Sequence, residues 1–436
     1  MDKNLKEGCK FMPRTEDMNK LLEIVKKETI PALGCTEPVA VAYAVSVANK
    51  YLDGEIQELN IKTSKNIFKN GKSVIIPNTE ERGLDLAGGL GIVCGNPEQG
   101  LMVLKDVNGD SIHEVHNILD EGKVNISYIE DSPDVYVEVF AKSENTDVIV
   151  LLKDSHNHID TVKVNGKVIY KNVLEKEKES NDFLEELSIK DIKEFVETVP
   201  IEEIAFIEEG IEMNNLAAEI GMTEGKGMGI GFTLKKLSEE NKLNISGPTK
   251  ARILTAAAAD LRMGGGVCPI MTSAGSGNQG LGVILPIVVV AEEQNIEKER
   301  LIRAVFFAHI INKYVKIFTG KLSYMCGCGI AAGVGASAGI TWMLGGSIEQ
   351  ISGACNNMLA NLTGMICDGA KETCALKLAT SAEEAVIAAY LANKNIMPEA
   401  NIGVVGNTLE ETIKNVGKLC KAGASSMEAA IISIID

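Results

Sequence analysis

Apolar positions recur at helical spacing at both ends of the chain and alternate in the middle, so the pattern separates helices from a sheet. Behind Thr15 as N-cap, Met18, Leu21, Leu22 and Val25 predict a helix over 15–27, stopped before Pro31. Thr36 is the expected N-cap of a second helix. Pro38 falls in its first turn, and Val39, Val41, Ala42, Val45 and Val47 carry it to about Tyr51. From Glu55 to Tyr170 the period shortens to two. Strands are predicted at 59–63, 73–77, 124–128, 135–139, 148–152 and 161–164, and Asn165-Gly166 turns the chain into a further strand at 168–170. A helix over 82–92 is expected to pack on this sheet. The charged stretch 174–182 reads as a linker or a solvated helix start. Beyond it, helices are predicted at 190–199, 201–221, 249–263, 298–314, 329–344, 348–362, 381–392 and 408–420. The fold class is therefore α+β: a small α/β sheet domain in the N-terminal half and a mostly helical, Gly/Ala-rich C-terminal domain. The expected divisions are 1–54, 55–175 and 183–436.

Composition narrows the function. The 436 residues carry a net charge of −17, which lacks the basic footprint of nucleic-acid binding, so DNA and RNA are not expected partners. Ten cysteines are too sparse for a disulfide scaffold, and residues 1–14 carry no apolar secretory segment. A cytoplasmic protein with reduced thiols is the expectation. Two charge-free stretches, 263–291 and 322–348, are long enough to cross a bilayer. The first contains a Ser/Gly/Asn/Gln run and the second is dominated by Gly, Ala and Ser. Both read as buried core, and no membrane is expected.

The thiols then need a purpose. Cys326-Gly327-Cys328 heads a small-residue helix, and Cys367 and Cys374 follow about one helical hairpin later. Soft thiolates at convergent positions suit iron–sulfur clusters or zinc, although the spacing is neither a ferredoxin run nor a zinc ribbon. Packing alone accounts for Cys94, Cys268, Cys355 and Cys420, and Cys9 sits in a polar tail. Cys35 precedes a helix N-terminus, where partial positive charge favours a thiolate; it is either a nucleophile or base, or an inconsequential cap residue. The loop Ser273-Ala274-Gly275-Ser276-Gly277-Asn278-Gln279-Gly280 is a candidate anion nest. A second is the turn Ser246-Gly247-Pro248-Thr249-Lys250 at a helix start. His113, His116, His156 and His158 fall among charges and are expected to face solvent, and His309 is expected in the core.

Four motifs in order carry a resemblance: Ile30-Pro31-Ala32-Leu33-Gly34-Cys35-Thr36-Glu37-Pro38, the 273–280 loop, Cys326-Gly327-Cys328, and Met365-Ile366-Cys367-Asp368-Gly369-Ala370-Lys371. From about residue 18 to the end, the chain resembles the L-cysteine desulfidase family, related to the iron–sulfur L-serine dehydratases through their α-chain domain. The resemblance implies a [4Fe-4S] cluster held by three cysteines, with one iron open as a Lewis acid. It implies conversion of L-cysteine to hydrogen sulfide, pyruvate and ammonia. Cys367 and Cys374 match two ligands. The third is Cys326 or Cys328, and the spacing back from Gly345-Gly346 favours Cys326. Cys35 matches the family's catalytic cysteine, and Ser273, Ser276, Gly277 and Asn278 are the candidate substrate-binding residues. A homodimer is one option for the assembly, and oxygen sensitivity follows from the open iron.

Three rivals stand beside this reading: an L-serine dehydratase with the same cluster, a pyridoxal-phosphate lyase built on Lys250, and a non-catalytic iron–sulfur or zinc sensor.

Overall fold

Alternation along the chain becomes a sheet in the computed structural model, which describes residues 15–172, 182–320 and 322–435. Cys9 and most of the predicted linker, 173–181, lie outside the described residues. The N-terminal elements are α1 (Thr15–Glu28), β1 (Pro31–Ala32), α2 (Thr36–Asn49), β2 (Glu58–Ser64), α3 (Lys65–Gly71), α4 (Leu84–Val93), α5 (Gly109–Asp120), β3 (Val124–Ile129), β4 (Tyr136–Lys142), β5 (Asp147–Lys153), β6 (Ile159–Val164) and β7 (Lys167–Lys171). The six-stranded sheet runs β3-β2-β4-β5-β6-β7. Only β2 and β3 are parallel, and such a pair needs a crossover, supplied here by α3, α4 and α5. Inward residues of β4 and β5 (Val137, Val139, Val148, Val150) are buried with Val41, Ala44 and Val45 of α2. Asn165 and Gly166 both take positive φ, 48° and 78°, as a two-residue hairpin of the primed type requires.

Two local expectations change. The N-cap of α2 is Cys35, in extended conformation, one residue earlier than Thr36. The segment 73–77 is not a strand: Asn78 and Glu80 adopt positive φ and Thr79 closes a turn, leaving one isolated bridge from Ile75 to Arg82. Val74 and Ile76 are fully buried there, so apolar packing rather than sheet pairing accounts for their character.

The helical part comprises α6 (Asp182–Glu186), α7 (Ile189–Thr198), α8 (Phe206–Glu224), α9 (Ile230–Glu239), α10 (Gly247–Met263), β8 (Ile270–Met271), α11 (Gly277–Glu293), α12 (Lys298–Thr319), α13 (Ala331–Met343), α14 (Ile348–Leu362), α15 (Cys374–Asn393) and α16 (Leu409–Ile435). Every residue of α13 is buried, because Gly335 and Gly339 let it lie against the backbone of α12 at Ala308 and Ala304. Stretch 263–291 resolves into the end of α10, β8, a loop and α11. No helix among the described residues is long and apolar enough to cross a membrane.

The sheet and helical parts are stitched together beside the future site. β1 pairs antiparallel with β8, Pro31 opposite Met271 and Ala32 opposite Ile270. At Gly280, α11 crosses so close to this ribbon that an added Cβ would overlap the Met271 carbonyl. Gly280→Ala is therefore expected to destabilise the protein by about 1–3 kcal/mol, read as a lower denaturant midpoint with unchanged slope. An unshifted midpoint would mean that the crossing relaxes freely.

Candidate active site

A cleft of about 950 Å³ opens where the sheet meets the helical body. Four chain segments build it. The first is the turn at Gly34, whose φ of 70° swings the backbone so that Cys35 caps α2. Cys35 is buried, and its Sγ donates to Glu37 Oε2 at 2.9 Å. Thr36 Oγ1 donates to the same oxygen at 3.2 Å, and Asn70 Nδ2 donates to Oε1 at 2.9 Å. The carboxylate is thus fully engaged inside the protein.

The second segment brings the distant thiols together. Cys326 N–H donates to Met365 O at 2.9 Å, and Cys367 N–H donates to Tyr324 O at 2.6 Å. These bonds flank the bridge between Met325 and Ile366 and lay the two cysteine loops side by side. Cys374 opens α15, with Sγ 3.8 Å from Gly369 O. Gly369 has φ 98°, and a Cβ there would meet the Lys69 carbonyl at 2.5 Å, so only glycine closes this turn. Cys326, Cys328, Cys367 and Cys374 all face the cleft and all are free thiols.

The third segment is the 273–276 loop leading into α11. It is a tight turn with positive φ at Ala274 and Gly275. Ser273 and Ser276 exchange main-chain hydrogen bonds, and Gly275 N–H donates to Glu28 O. These amides are consumed within the fold, so the 273–276 part of the predicted nest is closed, whereas 277–280 form the first turn of α11. The fourth segment is the β5–β6 connection, which carries His156 and His158 into the cleft rather than out to solvent.

Electrostatics set the protonation states. Burial, reinforced by the Glu37 charge, pushes the Cys35 thiol well above its ordinary pKa, against a smaller opposing pull from Arg262. The thiolate expected from a helix N-terminus is therefore not the resting form. Desolvation outweighs the dipole when a carboxylate sits two residues away. Burial also works to raise Glu37, but the His156 charge and the hydrogen bonds from Cys35 and Asn70 hold it below the usual carboxylate range. The neighbouring Cys328 side chain lowers the Cys326 thiol to about 6, and the same interaction together with burial raises Cys328 well above its ordinary value. Burial and the neighbouring Cys326 push Cys374 up to about 12.

The donor set suits a thiolate-bound cluster. Lys316 is buried among Cys328, Cys367 and Cys420, and Lys377 lies near Cys326 and Cys374, so cations stand ready for the negative charge that thiolates bring. A Cβ at Gly327 would stand 3.1 Å from Lys316 Nζ, which places that cation against the Cys-Gly-Cys motif. Among the described residues, no group of three or more His, Cys, Asp or Glu converges on one point as a single metal ion requires. Cluster ligands bind separate irons and stand apart. The four thiols are soft donors of the kind that iron–sulfur clusters use.

The predicted substrate-binding residues divide. Ser276 and Asn278 line the cleft. Ser273 sits behind the wall, fully buried, at 2.7 Å from His309 Nδ1 and accepting from Asn312 Nδ2 at 2.8 Å. Gly277 begins α11 packed against Ile270 and Arg262. The second predicted anion site, at Gly247, is occupied by acid: Lys250 pairs with Glu292 at 2.7 Å, and a Cβ at 247 would meet Glu293. Reasoning from sequence missed Glu37, Asn70, Lys316 and Arg262. Arg262 had a usable signal: with Asp260, it is a charge set in a run of alanines and apolar residues.

His309 anchors the Ser273 turn, and burial pulls its pKa down to about 3. The unfolded chain binds this proton near the ordinary imidazole pKa, so between the two values the unfolded state holds more protons. Stability should consequently fall as pH drops below about 6.5, with this residue adding up to ~1.4 kcal/mol per pH unit. His309→Gln should flatten that slope in urea unfolding between about pH 6.5 and about pH 4.5. Equal slopes in variant and wild type would contradict it.

Comparison with known proteins places this arrangement. The profile of the serine dehydratase alpha chain matches residues 141–433. The chain belongs to the serine dehydratase alpha-chain family. It is also 54% identical over 425 residues to a UPF0597 protein of Clostridium botulinum, covering 97% of this chain and 98% of the relative. A UPF0597 protein of Caldanaerobacter subterraneus is 42% identical, covering 96% and 99%. One of Clostridium tetani is 41% identical, covering 95% and 97%. The dehydratase family consists of lyases that are generally iron–sulfur dependent. The match begins within β4 and takes in β5 and its loop, so the family region includes His156, His158, Cys326, Cys328, Cys367 and Cys374, whereas Cys35 and Glu37 precede it.

Proposed function

We propose that this serine dehydratase alpha-chain family member is an L-cysteine desulfidase. In the proposed reaction, L-cysteine and water become hydrogen sulfide, pyruvate and ammonia. Cys326, Cys367 and Cys374 are the proposed ligands of a [4Fe-4S] cluster, with Cys328 facing the same cleft. A cluster held by three thiolates supplies an open, thiophilic iron that polarises the substrate. The observation that carries the reading is the Cys35–Glu37 pair facing the same cleft as those three thiols.

In the mechanism, the chain's own part is proton handling. Cys35 accepts the proton leaving Cα while its own Sγ–H proton passes to Glu37, 2.9 Å away. A resting thiol with a raised pKa cannot act alone, and the carboxylate that holds its proton makes the transfer continuous. Asn70 and Thr36 fix the carboxylate's two oxygens, so it cannot rotate away from the thiol. Elimination of the β-sulfur leaves aminoacrylate, which tautomerises and hydrolyses in water. Burial of Cys35 and Glu37 keeps bulk water from competing for the Cα proton.

L-Serine is the second reading, favoured by the family's own description. The pyridoxal-phosphate alternative loses its support because Lys250 is tied to Glu292 outside the cleft. The discriminating assay uses anaerobically reconstituted protein and compares kcat/KM for sulfide release from L-cysteine with that for pyruvate release from L-serine. A preference for L-cysteine of at least about tenfold is expected, since each tenfold step corresponds to about 1.4 kcal/mol of transition-state discrimination. A preference for L-serine would make the protein a dehydratase.

A further inference from the structure

The cleft holds a buried guanidinium with donors to spare. Arg262, near the C-terminal end of α10, is only 3% exposed, yet no carboxylate pairs with it among the described residues. Its Nη1 donates to Asn278 Oδ1 at 2.8 Å, and its Nη2 donates to Gly34 O at 2.6 Å. Both acceptors are neutral. A guanidinium has five N–H donors. Two are used by these bonds, and Nε is buried with no acceptor. An uncompensated buried cation is costly, and a fold that keeps one beside a cleft has left room for an anion.

The surroundings match. Arg262 lies against the first turn of α11, where a Cβ at Gly277 would come within 2.6 Å of its Cζ and Nε. Glycine is what lets the guanidinium lie flat on this 17-residue helix. The first main-chain bond of α11 runs from Gly280 N–H to Ser276 O, so the amides of Gly277, Asn278 and Gln279 lead the helix without an intrahelical acceptor. The positive end of the helix and an unpaired guanidinium therefore share one corner. Other cations line the cleft as well, and Lys153 pairs with Asp160 at 2.9 Å. Lys377 pairs with Asp368 at 2.6 Å, and Lys316 stands at the thiol end beside Gly327.

We propose that Arg262 and the first turn of α11 form the anchor for the α-carboxylate of the amino-acid substrate. The proposal rests on the reading that the cleft binds an α-amino acid, and it names the group that reading lacked. It also assigns an orientation. Arg262 grips the carbonyl of Gly34, the residue before Cys35, so a carboxylate held there puts the adjoining Cα at the Cys35–Glu37 end. The substrate's β-substituent is left to point toward Cys326 and Cys374. The loop amides of Ser273, Gly275 and Ser276 cannot serve instead, because main-chain carbonyls already hold them.

The test is a binding comparison by calorimetry on the reconstituted protein, using L-cysteine against L-cysteinamide and L-serine against L-serinamide. The amides keep the amine and the side chain and lack the negative charge. Wild type should bind the acid about 100-fold more tightly than the amide, and Arg262→Gln should cut that ratio to below about tenfold by weakening the acid alone. Arg262→Lys, which keeps charge without the fork, should lie between them. Because the ratio is taken within each protein, a general loosening of the site moves both ligands and leaves it unchanged. Arg262→Gln with the wild-type ratio overturns the anchor while leaving the desulfidase reading intact. Wild type that prefers the acid form of L-serine and releases no sulfide from L-cysteine supports the anchor and overturns the desulfidase. Wild type that binds neither amino acid overturns both.

Discussion

Cys367→Ala and Cys374→Ala should each strip the reconstituted protein of its iron and lower sulfide release from L-cysteine by at least about 1000-fold. The expectation follows from where the fold puts these thiols. Cys367 is locked beside Cys326 by paired main-chain hydrogen bonds, and Cys374 is fixed, itself buried, as the first residue of a 20-residue helix. Of the Cys326/Cys328 pair, Cys326 is the proposed ligand, and Cys328 Sγ lies 4.0 Å from Ser276 Oγ on the same wall. Cys326→Ala should therefore lose iron, whereas Cys328→Ala should keep it. The reverse result would exchange the two in the ligand set and leave the rest of the site as described. Iron content by metal analysis and the visible absorption of the cluster read these outcomes independently of turnover.

The second large effect lies at the other end of the cleft. Cys35→Ala should retain iron and substrate affinity while kcat falls by roughly 100- to 10,000-fold, the usual contribution of a positioned acid–base group. Glu37→Gln should reproduce much of this loss. The amide still fills the space between Cys35, Thr36 and Asn70, but it no longer carries the charge that takes the thiol proton. The two substitutions act on one proton path, so the double variant should be little worse than the poorer single one. Full turnover by Cys35→Ala with intact iron would remove the thiol from the mechanism, and independent, multiplicative losses would break the pair into separate roles.

Much of the fold is written in local pattern, and the departures have local causes. Alternation located β2 through β6 because one face of each strand packs on α2 or its neighbours, and the Asn165-Gly166 turn located β7, which is exposed along its length. The segment 73–77 has the same apolar content, but its turn at Asn78–Glu80 depends on hydrogen bonds from Thr79 that no periodicity encodes. Helix α5 escaped notice because its two-sided polarity hides behind a capping box between Asn108 and Ser111. In α11, a charge-free stretch with an internal Pro286 carries no amphipathic signal, since the helix is buried from Gly277 to Ala291.

The site divides in the same way. Its cysteines were legible as motifs, and their convergence waited on the bridge between Met325 and Ile366. The charge state of Cys35 was misjudged because the helix N-terminus is visible in sequence while burial is not. Arg262 was given no role, although its bonds to Gly34 and Asn278 join two motifs more than 200 residues apart. His156 and His158 were assigned to solvent from their charged neighbours, and only the packing of the sheet against the helices turns that loop inward.

The most direct test is quantitative reconstitution under anaerobic conditions, with iron counted per chain and sulfide and pyruvate measured from L-cysteine in the same sample. About four irons per chain, with sulfide and pyruvate formed one to one and both lost on exposure to air, is the expected result. Protein that takes up zinc in place of iron, or that carries the cluster and yields no sulfide from L-cysteine, would contradict the assignment.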